Sequence, residues 1–203
     1  YYTPEVLADY VLSEMERVRP LEKGMRVLDP ACGSGVFLVL AYRRLIEKEM
    51  DRLKRRLDPK ELLAILLESI YGVERERDAC YVAEFSLILT LLHYLERRDL
   101  QTLSFRFPVL HNKRVFELDF FSLDAAGGGL ETWQQGLQFD WIVGNPPWIE
   151  LKPDEKGEEF AKAWMERQEN KAEHPVGGNR VAEAFSWQVV RLLSTDGVVG
   201  LIM

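Results

Sequence analysis

The stretch Asp140-Trp141-Ile142-Val143-Gly144-Asn145-Pro146-Pro147-Trp148 carries the residue types needed to methylate a planar amine or amide. The nitrogen of such a group is a poor nucleophile, because its lone pair is delocalised. Two acceptors placed on its two N–H bonds favour a pyramidal nitrogen and stabilise the positive charge that develops there. The Asn145 side-chain carbonyl and the Pro146 backbone carbonyl can supply both acceptors, since proline keeps a carbonyl but has no N–H. Pro146 and Pro147 stop a strand ladder and stiffen the turn. Trp148 offers a broad face on which a base taken out of a duplex can stack. No general base is required, because the proton can leave after transfer. The competing reading is a rigid Pro-Pro turn with a partly buried Trp.

Three more positions suit a ligand. In Asp29-Pro30-Ala31-Cys32-Gly33-Ser34-Gly35, two glycines without Cβ let backbone pass close to a bound molecule. The spacing lacks the third glycine of a dinucleotide fingerprint, and no Gly-Lys-Ser/Thr follows, which excludes a P-loop. A helix N-terminus invites an anion, so an acid at Asp29 suggests a ligand of mixed charge. Glu74 ends an apolar run and can accept ribose hydroxyls through two oxygens. Asp119 and Phe120 can accept from an adenine amino group and stack on its ring. Packing glycines, a solvated strand-end acid and a core aromatic pair are the plain alternatives.

Short apolar runs positioned between helical patterns must hold these residues. Helices are expected over 4–18, 36–57, 60–69, 77–97 and 181–194, and strands over 26–29, 70–74, 115–118, 141–143 and 198–202. Pro4 suits the first turn of the first helix. The alternation implies parallel βαβ units. The expected class is α/β: a doubly wound, mostly parallel sheet with helices on both faces, as one domain over 1–203. Such a sheet binds ligands at the carboxyl ends of its strands, and Asp29, Glu74, Asp119 and Asn145 all sit at such ends.

The 203 residues are 47% hydrophobic and 29% charged, enough for one full core. Nothing resembles a membrane span or a signal peptide. Cys32 and Cys80 suit a reducing compartment rather than a disulfide framework. The net charge of -7 argues against strong nucleic-acid binding by this piece alone. The chain lacks an initiator Met and stops within an apolar run, so it reads as a piece of a longer protein. His93, His111 and His174 share no ligand spacing, and no metal is expected.

In their order along the chain these motifs resemble the gamma-class amino-methyltransferases of DNA, of restriction-modification type. Tyr1-Tyr2-Thr3-Pro4-Glu5 resembles the leading cofactor motif of that family, Asp29 to Gly35 its glycine motif, and Asn145 to Trp148 its catalytic motif. The resemblance implies a Rossmann-like methyltransferase fold whose last strands are missing, and S-adenosylmethionine as cofactor. Its methionyl end would meet Asp29, Ala31 and Thr3, its ribose Glu74, and its adenine Asp119 and Phe120. Tyr1, Tyr2, Pro4, Pro30, Cys32, Gly33 and Gly35 complete the implied cofactor set. The implied reaction is methylation of adenine N6 in DNA, by a cytoplasmic prokaryotic enzyme. Double-stranded DNA would be read through a recognition domain or subunit outside this chain, and a nuclease or specificity partner would share the chain or complex. Cytosine N4, an RNA base or a protein glutamine are alternative targets, and an inactive cofactor- or DNA-binding subunit is the alternative of another class. One departure stands out: Asp29 and Glu74 are 45 residues apart, where a dinucleotide fold has ~20, and the helix at 60–69 accounts for it.

Two polar stretches complete the reading. Residues 43–60 are rich in Arg and Lys, but Glu47, Glu49 and Asp51 are interspersed, which favours a solvated helix face over a phosphate site. Residues 152–178 follow the catalytic motif and are either a lid over the substrate or a plain excursion.

Overall fold

The computed structural model describes residues 3–101, 105–124, 136–152 and 158–203. Five parallel strands lie in the order β3-β2-β1-β4-β5: β1 Val27–Asp29, β2 Ile70–Glu74, β3 Val115–Glu117, β4 Phe139–Gly144 and β5 Leu193–Leu201. The chain winds outward from β1 to β3, returns to β4 and continues to β5. The order therefore reverses between β1 and β4, and the ligand crevice of a doubly wound sheet opens there.

One face of the sheet carries α1 Glu5–Val18, α2 Val36–Leu53, α3 Pro59–Ser69 and α4 Arg77–Tyr94. Their core includes Leu12, Phe37, Leu38, Leu66 and Leu87 packed on Val27, Ile70, Val115, Trp141 and Val143. The opposite face carries α6 Glu159–Glu166 and α8 Val181–Val190, whose Trp164, Ala184 and Phe185 pack on Leu28, Val73, Phe116 and Ile142. Strand residues alternate between the two cores, as the pleat requires. β4 breaks the alternation once: Phe139 and Trp141 point to opposite cores. The Asp140 and Trp141 N–H groups both donate to the Arg26 carbonyl, at 2.9 and 3.0 Å, which makes a β-bulge.

Local chemistry sets several boundaries. Asp58 caps α3 in a capping box with Glu61, and Pro59 takes the first turn. This helix fills the long interval between Asp29 and Glu74. α2 ends at Leu53 rather than at 57, because Lys54 adopts a left-handed conformation (φ 55°). α4 stops at Tyr94, and a separate short α5 Arg97–Leu100 follows. α8 ends at Val190, and β5 begins at Leu193, earlier than its apolar run, with a register shift against β4 between Phe139 and Trp141. The excursion after Trp148 contains α6 and a short α7 Gln168–Glu173, and its residues 153–157 lie outside the described residues.

The basic stretch of α2 is tied to acids. Arg44 pairs with Asp9, Lys48 with Glu16, Arg52 with the buried Glu49 and Arg55 with Glu61. Among the described residues no helix is long and apolar enough to cross a membrane.

Candidate active site

The turn after β1 is shaped for close approach. Gly33 and Gly35 have φ of 51° and 84°, a region glycine enters without strain. Only Gly33 of the two borders the crevice. A Cβ on Gly35 would lie 3.0 Å from the Cβ of Ala83, so this glycine also lets α4 pack against the turn. Cys32 points into the core beside Gly72, and its N–H donates to the Val73 carbonyl at 2.9 Å. Burial pushes the Cys32 thiol well up and the Cys80 thiol up to about 12, so both stay protonated and inert.

Glu74 spans the end of β2. Its Oε2 accepts the Gly33 N–H and its Oε1 the Glu76 N–H, each at 2.9 Å. Each oxygen keeps a second lone pair, so the carboxylate holds the glycine turn and can still accept ribose hydroxyls.

Asp29 is the most perturbed acid of the site. It is 1% exposed, and its Oδ1 accepts the Ala31 N–H at 3.1 Å. A Cβ on Gly144 would come within 2.7 Å of that oxygen, so β4 needs glycine there. Among the described residues Asp29 enters no ion pair. Burial, with the Glu74 charge adding to it, pushes its carboxyl up to about 8, against the pull of the Ala31 N–H. A buried acid without a cation suits a ligand that brings one.

Asp119 follows β3 half-buried, and its Oδ1 accepts the Phe121 N–H at 2.8 Å. Burial raises its carboxyl above the usual carboxylate range. Phe120 is buried and stacks on Phe185, with ring centroids 4.9 Å apart. One face of that ring is thus covered from within the protein.

Gly33, Glu74, Asp119 and Phe120 border a cavity of about 370 Å³, within the ~300–1,000 Å³ of small-molecule sites, and Asp29 lies next to its Pro30–Ala31 wall without lining it. Pro30, Ala31 and Gly33 form one wall, Glu74 and Asp119 a second, and Asn145, Pro146 and Pro147 the third. Asn145 is half-buried at the end of β4. Its Nδ2 donates to Thr3 Oγ1 at 3.2 Å, and its Oδ1 accepts the Trp148 indole N–H at 3.1 Å. Trp148 itself is 59% exposed. Pro4 caps α1 at the entrance to the helix. Tyr1 and Tyr2 lie outside the described residues.

Sequence reasoning missed Arg75, Glu158, Val181 and Phe185, all of which border the cavity. Arg75 leaves the end of β2 and donates from Nη1 to Glu158 Oε1 at 2.5 Å. Glu158 is 7% exposed, so the pair closes one side of the crevice with little water around the acid. Arg75 could have been found as the charge next to the strand-end Glu74. Glu158 left no local signal, because its partner lies 83 residues away.

The chain was compared with known proteins. Residues 9–175 match the family model described as MmeI, DNA-methyltransferase domain. The chain belongs to that family. The type II methyltransferase M.BstVI of Geobacillus stearothermophilus is 28% identical over 209 residues, covering 99% of this chain and 32% of the relative. The adenine-specific methyltransferase PglX of Streptomyces coelicolor is 28% identical over 93 residues, 44% of this chain and 8% of the relative. The chain thus spans about a third or less of the length of these relatives. The nuclease-deletion mutant of the type ISP restriction-modification enzyme LlaGI, solved with a DNA substrate mimic, has the same fold with a TM-score of 0.70. It shares 16% identity, covering 98% of this chain and 18% of that one. The Rossmann-like sheet is also shared with a putative class I S-adenosylmethionine-dependent methyltransferase of Listeria monocytogenes, with a TM-score of 0.53 and 16% identity over 98% of this chain and 45% of that one. The Gly33 turn and Glu74 offer the close backbone and the acceptors that the sugar end of a ligand requires, and behind the Pro30–Ala31 wall Asp29 holds an acid without a cation among the described residues.

Proposed function

We propose that this domain transfers a methyl group from S-adenosylmethionine to the N6 amine of adenine in DNA, as the catalytic part of a restriction-modification or related defence enzyme. The observation that carries the reading is the Asn145 carboxamide, held by hydrogen bonds on both ends at the rim of the cofactor cavity. The bound cofactor supplies an electrophilic methyl group on a sulfonium sulfur. Asn145 Oδ1 and the Pro146 carbonyl accept the two N–H bonds of the target amine and stabilise the charge that grows on its nitrogen. Trp148 stacks on the extruded base. Asp29 takes the ammonium group, Ala31 and Thr3 the rest of the methionyl end, Glu74 the ribose, and Asp119 with Phe120 the adenine of the cofactor. Pro4, Pro30, Cys32, Gly33 and Gly35 complete that binding set through their backbones or by shaping the chain around it, and Tyr1 and Tyr2 are included from the sequence motif alone.

The adenine specificity printed for PglX supports adenine as the target. Cytosine N4 fits the same two acceptors, and nucleoside analysis of the modified DNA separates the two. The net charge of -7 favours DNA contact through a recognition domain or subunit beyond this chain, and the likeness to restriction-modification enzymes supports a nuclease or specificity partner in the same chain or complex. The experiment uses the full-length parent and radiolabelled cofactor. Label is expected in adenine of duplex DNA, and Asn145→Ala is expected to abolish transfer while cofactor binding persists. Normal methylation by Asn145→Ala sinks the assignment.

A further inference from the structure

We infer that the indole N–H of Trp148 fixes which way round the Asn145 amide sits while the Thr3 hydroxyl holds its other end, and that the indole N–H holds the place of the target amine until a base arrives. The inference rests on the catalytic reading of Asn145 above.

A carboxamide is nearly symmetric in shape, yet only its oxygen accepts hydrogen bonds. An amide turned the wrong way would present N–H groups to the N–H groups of the target. The Trp148 contact of Asn145 removes that ambiguity. The indole N–H can only donate, so the atom 3.1 Å from it must be the oxygen. Thr3 Oγ1 then accepts from Nδ2 at 3.2 Å. Thr3 is 9% exposed, so water competes little for that hydroxyl. It arrives from the segment before α1, 142 residues upstream of Asn145, and so ties the N-terminal segment to the catalytic turn.

Trp148 differs from Thr3 in being 59% exposed, so its ring can swing outward at little packing cost. The bond it makes to Oδ1 is the kind the target amine makes: one N–H donating to the same oxygen. Base entry then exchanges one such bond for another, and the half-buried oxygen is never left bare. A phenyl ring at this position could stack on the base but could not hold the place. Thr3 is a positioning residue here, and Trp148 combines stacking with place-holding.

The test uses the full-length parent and duplex DNA bearing its methylation site. Thr3→Val keeps the shape and removes the acceptor. Single-turnover transfer at saturating cofactor and DNA is expected to fall roughly 3–10-fold, with the DNA concentration for half-saturation unchanged. Thr3→Ser is expected to restore the rate. Trp148→benzothienylalanine keeps the two-ring face and replaces N–H by sulfur. It is expected to tighten binding to DNA with an unpaired target adenine by roughly 2–10-fold, because no bond must be broken first. A wild-type rate for Thr3→Val at saturation overturns the positioning role. Unchanged or weaker binding by the benzothienylalanine variant overturns the place-holding role. Failure of the catalytic reading itself would show differently, as transfer that survives Asn145→Ala.

Discussion

The proposed pairing of the buried Asp29 with the cofactor's ammonium group makes cofactor affinity depend on pH. Its carboxyl titrates at about 8 in the free protein, because burial opposes the charge. The complex needs the carboxylate opposite a charged ammonium, and an α-amino group titrates near ~8. The two partners must therefore share one proton. Apparent affinity follows the product of the ionised-acid and protonated-amine fractions, a bell with its top near pH 8. From pH 6 to the top the product rises roughly 20-fold, at close to one decade per pH unit below pH 7. About one proton leaves per cofactor bound at pH 6, which calorimetry in buffers of different ionisation enthalpy reads directly. Asp29→Asn removes the acid and keeps an oxygen for the Ala31 N–H. It is expected to bind more weakly, with no rise between pH 6 and 7. A wild-type affinity that changes less than about twofold over pH 6–8, or the same slope in Asp29→Asn, refutes the pairing.

The same shift has a stability consequence of opposite sense. The folded-state value lies above the ordinary 3.8, so Asp29's contribution is fully present below about pH 4 and lost as the pH rises through about 8. Four pH units at ~1.4 kcal/mol each set a ceiling of about 6 kcal/mol, and Asp29→Asn without cofactor is expected to raise the melting temperature more at pH 8 than at pH 5. Gly144→Ala puts a Cβ 2.7 Å from Asp29 Oδ1, which costs ~1–3 kcal/mol and displaces the acid. Calorimetry should record a loss of cofactor affinity with the drop in melting temperature. Gly35→Ala combines a φ of 84° with a contact 3.1 Å from the Ala83 backbone. It is expected to destabilise by ~1–3 kcal/mol in chemical denaturation. Arg75→Met leaves the Glu158 carboxylate, 8% exposed, without its closest cation. Adding Glu158→Gln should recover part of the lost stability and cofactor affinity, and additive losses would show that the pair is not coupled.

Much of the fold was legible because β1, β2 and β4 are almost wholly buried and read as short apolar runs. Ile70–Glu74 and Val27–Asp29 needed no tertiary information. The misplaced boundaries have physical causes. Leu57 looked helical by spacing, but Lys54 turns left-handed and ends α2 first. Leu193 sits beyond the bulge and register shift of β4, where period-two reasoning fails, so β5 began earlier than its apolar run. The excursion after Trp148 looked like a polar loop, yet α6 buries Trp164 against Phe121 and Gln188. One amphipathic turn carries that helix, too little for a periodicity argument among Gly and Pro.

The site divided along the same line. Residues that chain topology delivers to strand ends were readable, since the switch point of the sheet collects whatever follows β1, β2, β3 and β4. Residues that reach the cavity by side-chain contact across the fold were not. Glu158 became part of the site through Arg75, and Phe185 through Phe120. The asymmetry extends to chemistry. Asp29 was read as a partner for a cationic group from its position alone, but its poise near neutral pH depends on how completely Pro30, Gly144 and the sheet exclude water. Asn145 was read as an acceptor from its neighbours in sequence, whereas the far end of its amide is held by Thr3, which no local pattern links to it. Strand ends thus choose the functional groups, and contacts between distant segments set their protonation and position, so substitutions at Gly144 and Thr3 should alter affinity or rate although no reacting group is itself replaced.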